Sequence, residues 1–397
     1  MTRPDHESVD CYQKEHGVLE THTKTQVKTR HDLSLVCTPG VAEICRRIRD
    51  SRESAFTCTM KANTVAIVTD GSAILGMGDL GPYPAIPVME GKALLYKEFA
   101  GIDAIPICLD GRKTTLPRPI SRIARVFGAI DLEDIAVPRC FALEDELRDL
   151  GIPVLHSDQH ATAVVVLVAL INACRVTGKR FADLQVVIAS SGASGTAIAR
   201  ILKCVGMESD ICSPVADLIV CDHKGIIHRG RPDTFDAPHK YLLAHETNAE
   251  NRQGYPGDAL AGADAFIGAA APGIVWGEMV RSMGRDPIVF ALANPEPEIE
   301  PADAIRAGAG IFATGKNTFP HRCNYVLAFP GMFRGALDAR ATRVTDGAKI
   351  AAARALADPV TALRKDRILP SILTRKVTVQ VATAVTECIV REGCMRD

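Results

Sequence analysis

The chain has 397 residues, of which 47% are apolar and 23% charged, and its formal net charge at pH 7 is −1. That length exceeds one ordinary core and predicts two domains. The near-zero charge excludes a general attraction to nucleic acid or to an anionic membrane surface. The first twenty residues are polar, with no signal-peptide core. The longest apolar stretch, Ala163 to Ile171, is shorter than the ~20 residues of a membrane span and reads as a buried helix. Thirteen cysteines are scattered with no Cys-x-x-Cys pair, which predicts reduced thiols in a cytoplasmic protein.

In chain order, Thr38-Pro39-Gly40 opens a helix from Val41. Val65 to Thr69 reads as a strand ending at Asp70-Gly71. The crowd of Gly76, Gly78, Gly81, Pro82, Pro84 and Pro87 predicts a loop whose backbone passes close to a partner. A helix resumes over Ala93 to Phe99, and Ala104 to Leu109 is a second strand. Ser121 to Phe127 and Leu143 to Leu150 read as helices, Ile135 to Pro138 as a short extended piece, and Pro153 to His156 as a strand. An apolar helix from Thr162 to Val176, closed by Thr177-Gly178-Lys179, bridges the two halves.

Beyond it, strands at Leu184 to Ala189, Asp217 to Cys221, Ala265 to Gly268, Ile288 to Leu292 and Ile311 to Gly315 alternate with helices such as Thr196 to Val205. From Met332 onward the pattern is helical. This alternation predicts a parallel sheet covered on both faces. The fold class is α/β. An N-terminal α/β substrate and metal domain spans 1–160, and a Rossmann-type doubly wound dinucleotide-binding domain spans 161–340. A helical tail over 341–397 packs back on both.

Two patterns carry chemistry. In the turn Gly192-Ala193-Ser194-Gly195, between strand and helix, the glycines let a backbone approach a pyrophosphate. Asp222, at the end of the next strand, would accept from a ribose hydroxyl. Ser190 stands where the first glycine usually does, so this could also be an ordinary tight βαβ turn. Asp222 favours NAD, while His223, Lys224 and Arg229 could receive the extra phosphate of NADP.

The second pattern is acidic. Glu133, Asp134 and Asp158 are hard oxygen donors suited to Mg²⁺ or Mn²⁺. A chelated 2-hydroxy acid would have its alkoxide stabilised there before hydride leaves. Each carboxylate taken alone reads more readily as a solvated helix or loop charge. His156 and His160 read as polar support. Lys92, partly desolvated beside a cation, could act as a base, with Lys97 as a nearby competitor.

Longer motifs point further. Asp70 to Gly81 (DGSAILGMGDLG), Pro87 to Ala93 (PVMEGKA), Leu132 to Ile135, Ala291 to Pro295 (ALANP) and Asn324 to Gly335 (NYVLAFPGMFRG) resemble signatures of the malic enzymes, in the right order, from about Leu33 to Ala357. The resemblance implies that Glu133, Asp134 and Asp158 hold the divalent cation and that Lys92 takes the C2 hydroxyl proton. It places Asn294 and Asn324 on the substrate carboxylates, with Asn294 also lining the cofactor. Gly192, Ala193, Ser194, Gly195 and Asp222 would hold NAD or NADP. A homodimer is implied as well.

The chain departs from the pattern at four places. Cys37 replaces the tyrosine that protonates the enol carbon; Ser157 and Ala161 replace an aspartate and a glycine; Ser190 replaces a glycine; and Tyr325 replaces the second substrate asparagine. Cys37 is a poor stand-in for that acid, since a free thiol has a reference pKa of about 8.5, and Tyr325 or Tyr83 could supply the missing hydroxyl. The expected activity is metal- and NAD(P)-dependent oxidative decarboxylation of malate or a malate-like acid. The alternatives are hydride transfer without decarboxylation on an analogue such as a phosphonate, and a non-catalytic binding protein on the same fold.

Overall fold

The eight apolar runs read as strands, with two further strands at Ala129–Leu132 and Gly225–Ile226 not expected from the sequence, form two separate sheets. The computed structural model describes residues 4–396, apart from 112–114, 209–211, 316–322, 359 and 361. The first sheet contains β1 (Thr64–Thr69), β2 (Asp103–Cys108), β3 (Ala129–Leu132) and β4 (Val154–His156), ordered β2-β1-β3-β4 and parallel throughout. The second contains β5 (Gln185–Ala189), β6 (Asp217–Asp222), β7 (Gly225–Ile226), β8 (Ala265–Gly268), β9 (Ile288–Ala291) and β10 (Ile311–Thr314). Its order is β10-β9-β8-β5-β6-β7, with only β7 antiparallel.

The strands are buried on both faces, as covered parallel sheets require. The order reverses between β5 and β8, which is where open α/β sheets form a ligand crevice beyond the carboxyl ends of their strands. The Ser157–Thr177 helix runs between the sheets, and one apolar core continues through it from Val65 and Ile67 to Val186 and Ile188. By length and composition this helix could cross a membrane, yet most of it is buried inside the protein. The Phe329–Asp338, Asp346–Ala357 and Arg375–Arg391 helices complete the same core.

Several local expectations shift. The glycine–proline crowd is only partly a loop: Pro82 opens a helix that runs to Ala100. Pro82 and Pro84 fall in its first turn, where backbone N–H groups lack an intrahelical partner, so proline costs little there. The helices expected at Ser121 and Leu143 begin about one turn earlier, spanning Pro117–Ile123 and Arg139–Glu146. The bridging helix starts at Ser157, directly from β4, and places Asp158 in its first turn. Ile135 to Pro138 belongs to no strand, because Asp134 turns the chain with φ 51°. Cys204 and Cys212, expected as free thiols, are joined in a disulfide where the chain folds back after the Ala193–Leu202 helix. The other eleven cysteines are free.

Candidate active site

Asp131 and Glu133 are two residues apart at the end of β3, so their side chains leave the same face of the sheet. Lys92 and Tyr96 are one turn apart on the Pro82–Ala100 helix and meet them. The Lys92 ammonium, 3% exposed, lies 2.6 Å from Asp131 and also pairs with Glu133. It sits over the rings of Phe329 (4.9 Å) and Tyr325 (5.5 Å). Burial by itself would lower its pKa; Asp131, Glu133 and Asp158 overcome that and hold the lysine charged, above its ordinary value. Lys97, the competitor, is exposed and paired with Asp103.

The acidic clusters meet across the β3–β4 edge, where Leu132 stands beside His156. The backbone N–H of Asp134 donates to Asp158 Oδ2 at 3.0 Å. Burial pushes the Asp134 carboxyl up to about 7, and Asp158 adds to the rise. Glu133 is pushed well above the carboxylate range by burial, then by Asp158. Asp134 Oδ2 is buried without a partner.

This donor set fits a hard dication: all oxygen, crowded, short of positive charge and holding an orphaned acceptor. No three His, Cys, Asp or Glu side chains among the described residues converge into a preformed cage, so the three carboxylates would have to close further to share one ion. His160 serves as polar support, its Nε2 2.8 Å from Glu144. His156 is fully buried beside Asp158 at 3.8 Å.

The hydroxyl of Tyr325 donates to Glu133 Oε1 at 3.1 Å, so the residue that departs from the motif faces the acidic cluster. Burial, then Glu133, pushes its phenol well above the usual value. Asn324 Oδ1 caps the short turn Tyr325–Leu327. Tyr83 is exposed. Cys37 is also exposed, after the Arg30–Val36 helix, and no hydrogen bond or ion pair among the described residues joins it to the cluster.

On the other wall, Gly192 caps the Ala193–Leu202 helix, whose first turn holds Ala193, Ser194 and Gly195. A side chain at Gly195 would overlap the Ser190 carbonyl, so glycine is required for close strand–helix packing. Ser194 Oγ donates to the Asp158 carbonyl at 2.9 Å, tying the nucleotide turn to the acidic one. Asn294 follows β9 and is exposed; its backbone approaches Gly76 and its side chain lies beside Gly315. Asp222 ends β6, where its carboxylate accepts from Arg231 Nη1 (2.9 Å), Lys240 (2.7 Å) and the Lys224 N–H (2.8 Å). Burial opposes its charge, yet these donors hold it well below the usual carboxylate range.

Asp131 escaped the reading of the sequence. The available signal was a carboxylate inside an otherwise apolar strand, Ala129-Ile130-Asp131-Leu132, all four of whose residues are buried.

A Rossmann-type nucleotide turn beside a buried lysine and a cluster of carboxylates is the arrangement of a dehydrogenase, and its all-oxygen donors suit a hard dication. Comparison with known families narrows it. The profile of the malic enzyme N-terminal domain matches residues 16–120, and that of the malic enzyme NAD binding domain matches 159–390. The NAD-dependent malic enzyme of Geobacillus stearothermophilus is 48% identical, over 96% of this chain and 78% of that protein. The bifunctional malic/malolactic enzyme of Bacillus subtilis is 43% identical, over 98% and 94%. The crystal structure of the NAD-dependent malic enzyme of Thermotoga maritima superposes with a TM-score of 0.89 at 39% identity, covering 96% of this chain and 98% of that one. The chain belongs to the malic enzyme family.

Proposed function

We propose that this protein catalyses the divalent-metal- and NAD(P)-dependent oxidative decarboxylation of malate to pyruvate. The observation that carries this reading is the buried Lys92, facing Glu133 and the Asp134–Asp158 contact at the mouth of the nucleotide crevice. Glu133, Asp134 and Asp158 would hold Mg²⁺ or Mn²⁺, which when bound acts as a Lewis acid toward the C2 oxygen. NAD⁺ or NADP⁺, seated by Gly192 to Gly195 and Asp222, is the hydride acceptor.

The chain's own side chains do the rest. Lys92, held charged here by the surrounding carboxylates, acts as the base in its neutral form: a dication on Glu133 and Asp158 would offset the negative charge that keeps it protonated, and the neutral amine then takes the hydroxyl proton. Asn294, Asn324 and Tyr325 orient the substrate carboxylates. Loss of CO₂ leaves an enolate that needs a proton at C3. Cys37 lies outside the described contacts of the cluster, whereas the Tyr325 phenol stands on Glu133. Tyr325 therefore supplies that proton in this reading. The protein acts in the cytoplasm, as eleven free cysteines suit, and as a homodimer.

The test is a redox assay of the purified protein with Mn²⁺, malate and each nicotinamide cofactor, with pyruvate measured separately. Stoichiometric pyruvate supports the reading. Cofactor reduction without pyruvate, or turnover only of a malate analogue, overturns it.

A further inference from the structure

Position 157 holds a serine where the family motif has the first of two adjacent aspartates. The buried charge missing there is present on the neighbouring strand. Asp131 lies within β3 and is 0% exposed. Its Oδ1 accepts from Ser157 Oγ at 2.6 Å. Its Oδ2 accepts from Tyr96 Oη at 2.7 Å and lies 2.6 Å from Lys92 Nζ. Carboxylates at 131 and at 157 would thus reach the same space.

A carboxylate removed from water is strongly disfavoured unless paired and hydrogen-bonded. Here three donors meet its two oxygens. The strand needs no charge at this point, because Ala129, Ile130 and Leu132 are apolar and buried. Glu133 cannot be the lysine's dedicated counter-ion. Its other oxygen accepts from Tyr325, and its place beside Asp134 and Asp158 commits it to the cation.

We infer that Asp131 is the positioning residue for Lys92, and that Ser157 is its hydrogen-bond donor, so that the lysine's anchoring carboxylate is carried by position 131 instead of position 157. Asp131 touches neither substrate nor cofactor. It keeps Lys92 aimed into the crevice when Glu133 turns to the metal. The inference rests on the reading of Lys92 as the base.

The experiment compares wild type, Asp131→Asn and the exchange variant Asp131→Asn/Ser157→Asp as full-length proteins with Mn²⁺ and saturating cofactor. The amide is isosteric, and its single oxygen keeps one of the two hydrogen bonds from Ser157 and Tyr96 while its NH2 can accept neither. Misplacing a catalytic group costs up to ~10²-fold, so kcat for malate oxidation in Asp131→Asn falls by about that factor while KM changes less than ~3-fold. The exchange variant recovers kcat to within ~10-fold of wild type, because the anchoring charge is restored from the first residue of the Ser157–Thr177 helix. Thermal unfolding is read alongside. Unchanged kcat in Asp131→Asn overturns the inference. So does a kcat loss that the exchange leaves unrepaired, or a loss of stability with normal kcat in the folded fraction. A wild type that does not oxidise malate overturns the proposed function instead.

Discussion

Replacing Lys92 by methionine keeps the aliphatic stem and removes the ammonium, leaving Asp131 and Glu133 without their shared cation. Removing a positioned base costs ~10²–10⁴-fold in its own step, so Lys92→Met is expected to lose malate oxidation by that factor while retaining nicotinamide binding. Steady-state kinetics with fluorescence titration of NADH or NADPH checks this; normal turnover would remove Lys92 from the chemistry. Tyr325→Phe separates the steps. Pyruvate formation is expected to fall by ~10²-fold while reduction of oxaloacetate changes little, because only the former needs the phenol proton. Equal losses in both directions would limit Tyr325 to binding. Asp222, beside its place at the nucleotide site, also contributes to stability. Its carboxylate is depressed, so its contribution is present above the unfolded value of ~3.9 and is lost as pH falls through the lower folded value. Asp222→Asn leaves Arg231 and Lys240 short of a partner and is expected to cost about 3 kcal/mol at pH 7. In denaturant titrations the gap from wild type should narrow below about pH 3; a gap independent of pH contradicts the ion-pair account.

At the scale of elements, the turn between β5 and the Ala193–Leu202 helix is set by contact. Gly195→Ala drives a methyl into the Ser190 carbonyl and is expected to cost ~1–3 kcal/mol through strand–helix displacement. Weaker NAD(P)⁺ binding should accompany it by calorimetry; unchanged stability and affinity would deny the close packing. This turn was legible from Gly192 and Gly195 alone, because a strand, a glycine turn and a helix leave few other geometries. Eight of the ten strands were legible for a similar reason, since buried parallel strands read as short apolar runs, whereas β3, interrupted by Asp131, and the two-residue β7 were not. The Pro82–Ala100 helix was not legible at its start, because prolines signal a loop and a first helical turn equally well. Asp131 was hidden for a different reason. A sequence shows that a carboxylate interrupts an apolar strand, but not that Lys92, Tyr96 and Ser157 arrive from two helices to satisfy it.

For the whole molecule, the two sheets share one core through the Ser157–Thr177 helix, and the Ser194 hydroxyl, donating to the Asp158 carbonyl, ties the nucleotide turn to the acidic cluster. The Arg30–Val36 and Gly40–Asp50 helices contrast with this body. They contain no buried residue and expose Leu33, Leu35, Val36 and Val41. An apolar face of that kind suits burial against a second copy. Light scattering should give twice the 42.6 kDa chain mass, and Leu35→Glu combined with Val36→Lys should shift it toward the monomer; a monomeric wild type contradicts the homodimer. The central claim is that the carboxylates of Glu133, Asp134 and Asp158 grip one dication beside Lys92, and manganese titration followed by electron paramagnetic resonance tests it most directly. The account predicts one Mn²⁺ per chain, with affinity reduced ~10–100-fold or more in Asp158→Asn and in Glu133→Gln. Mn²⁺ binding that survives both substitutions unchanged would contradict it.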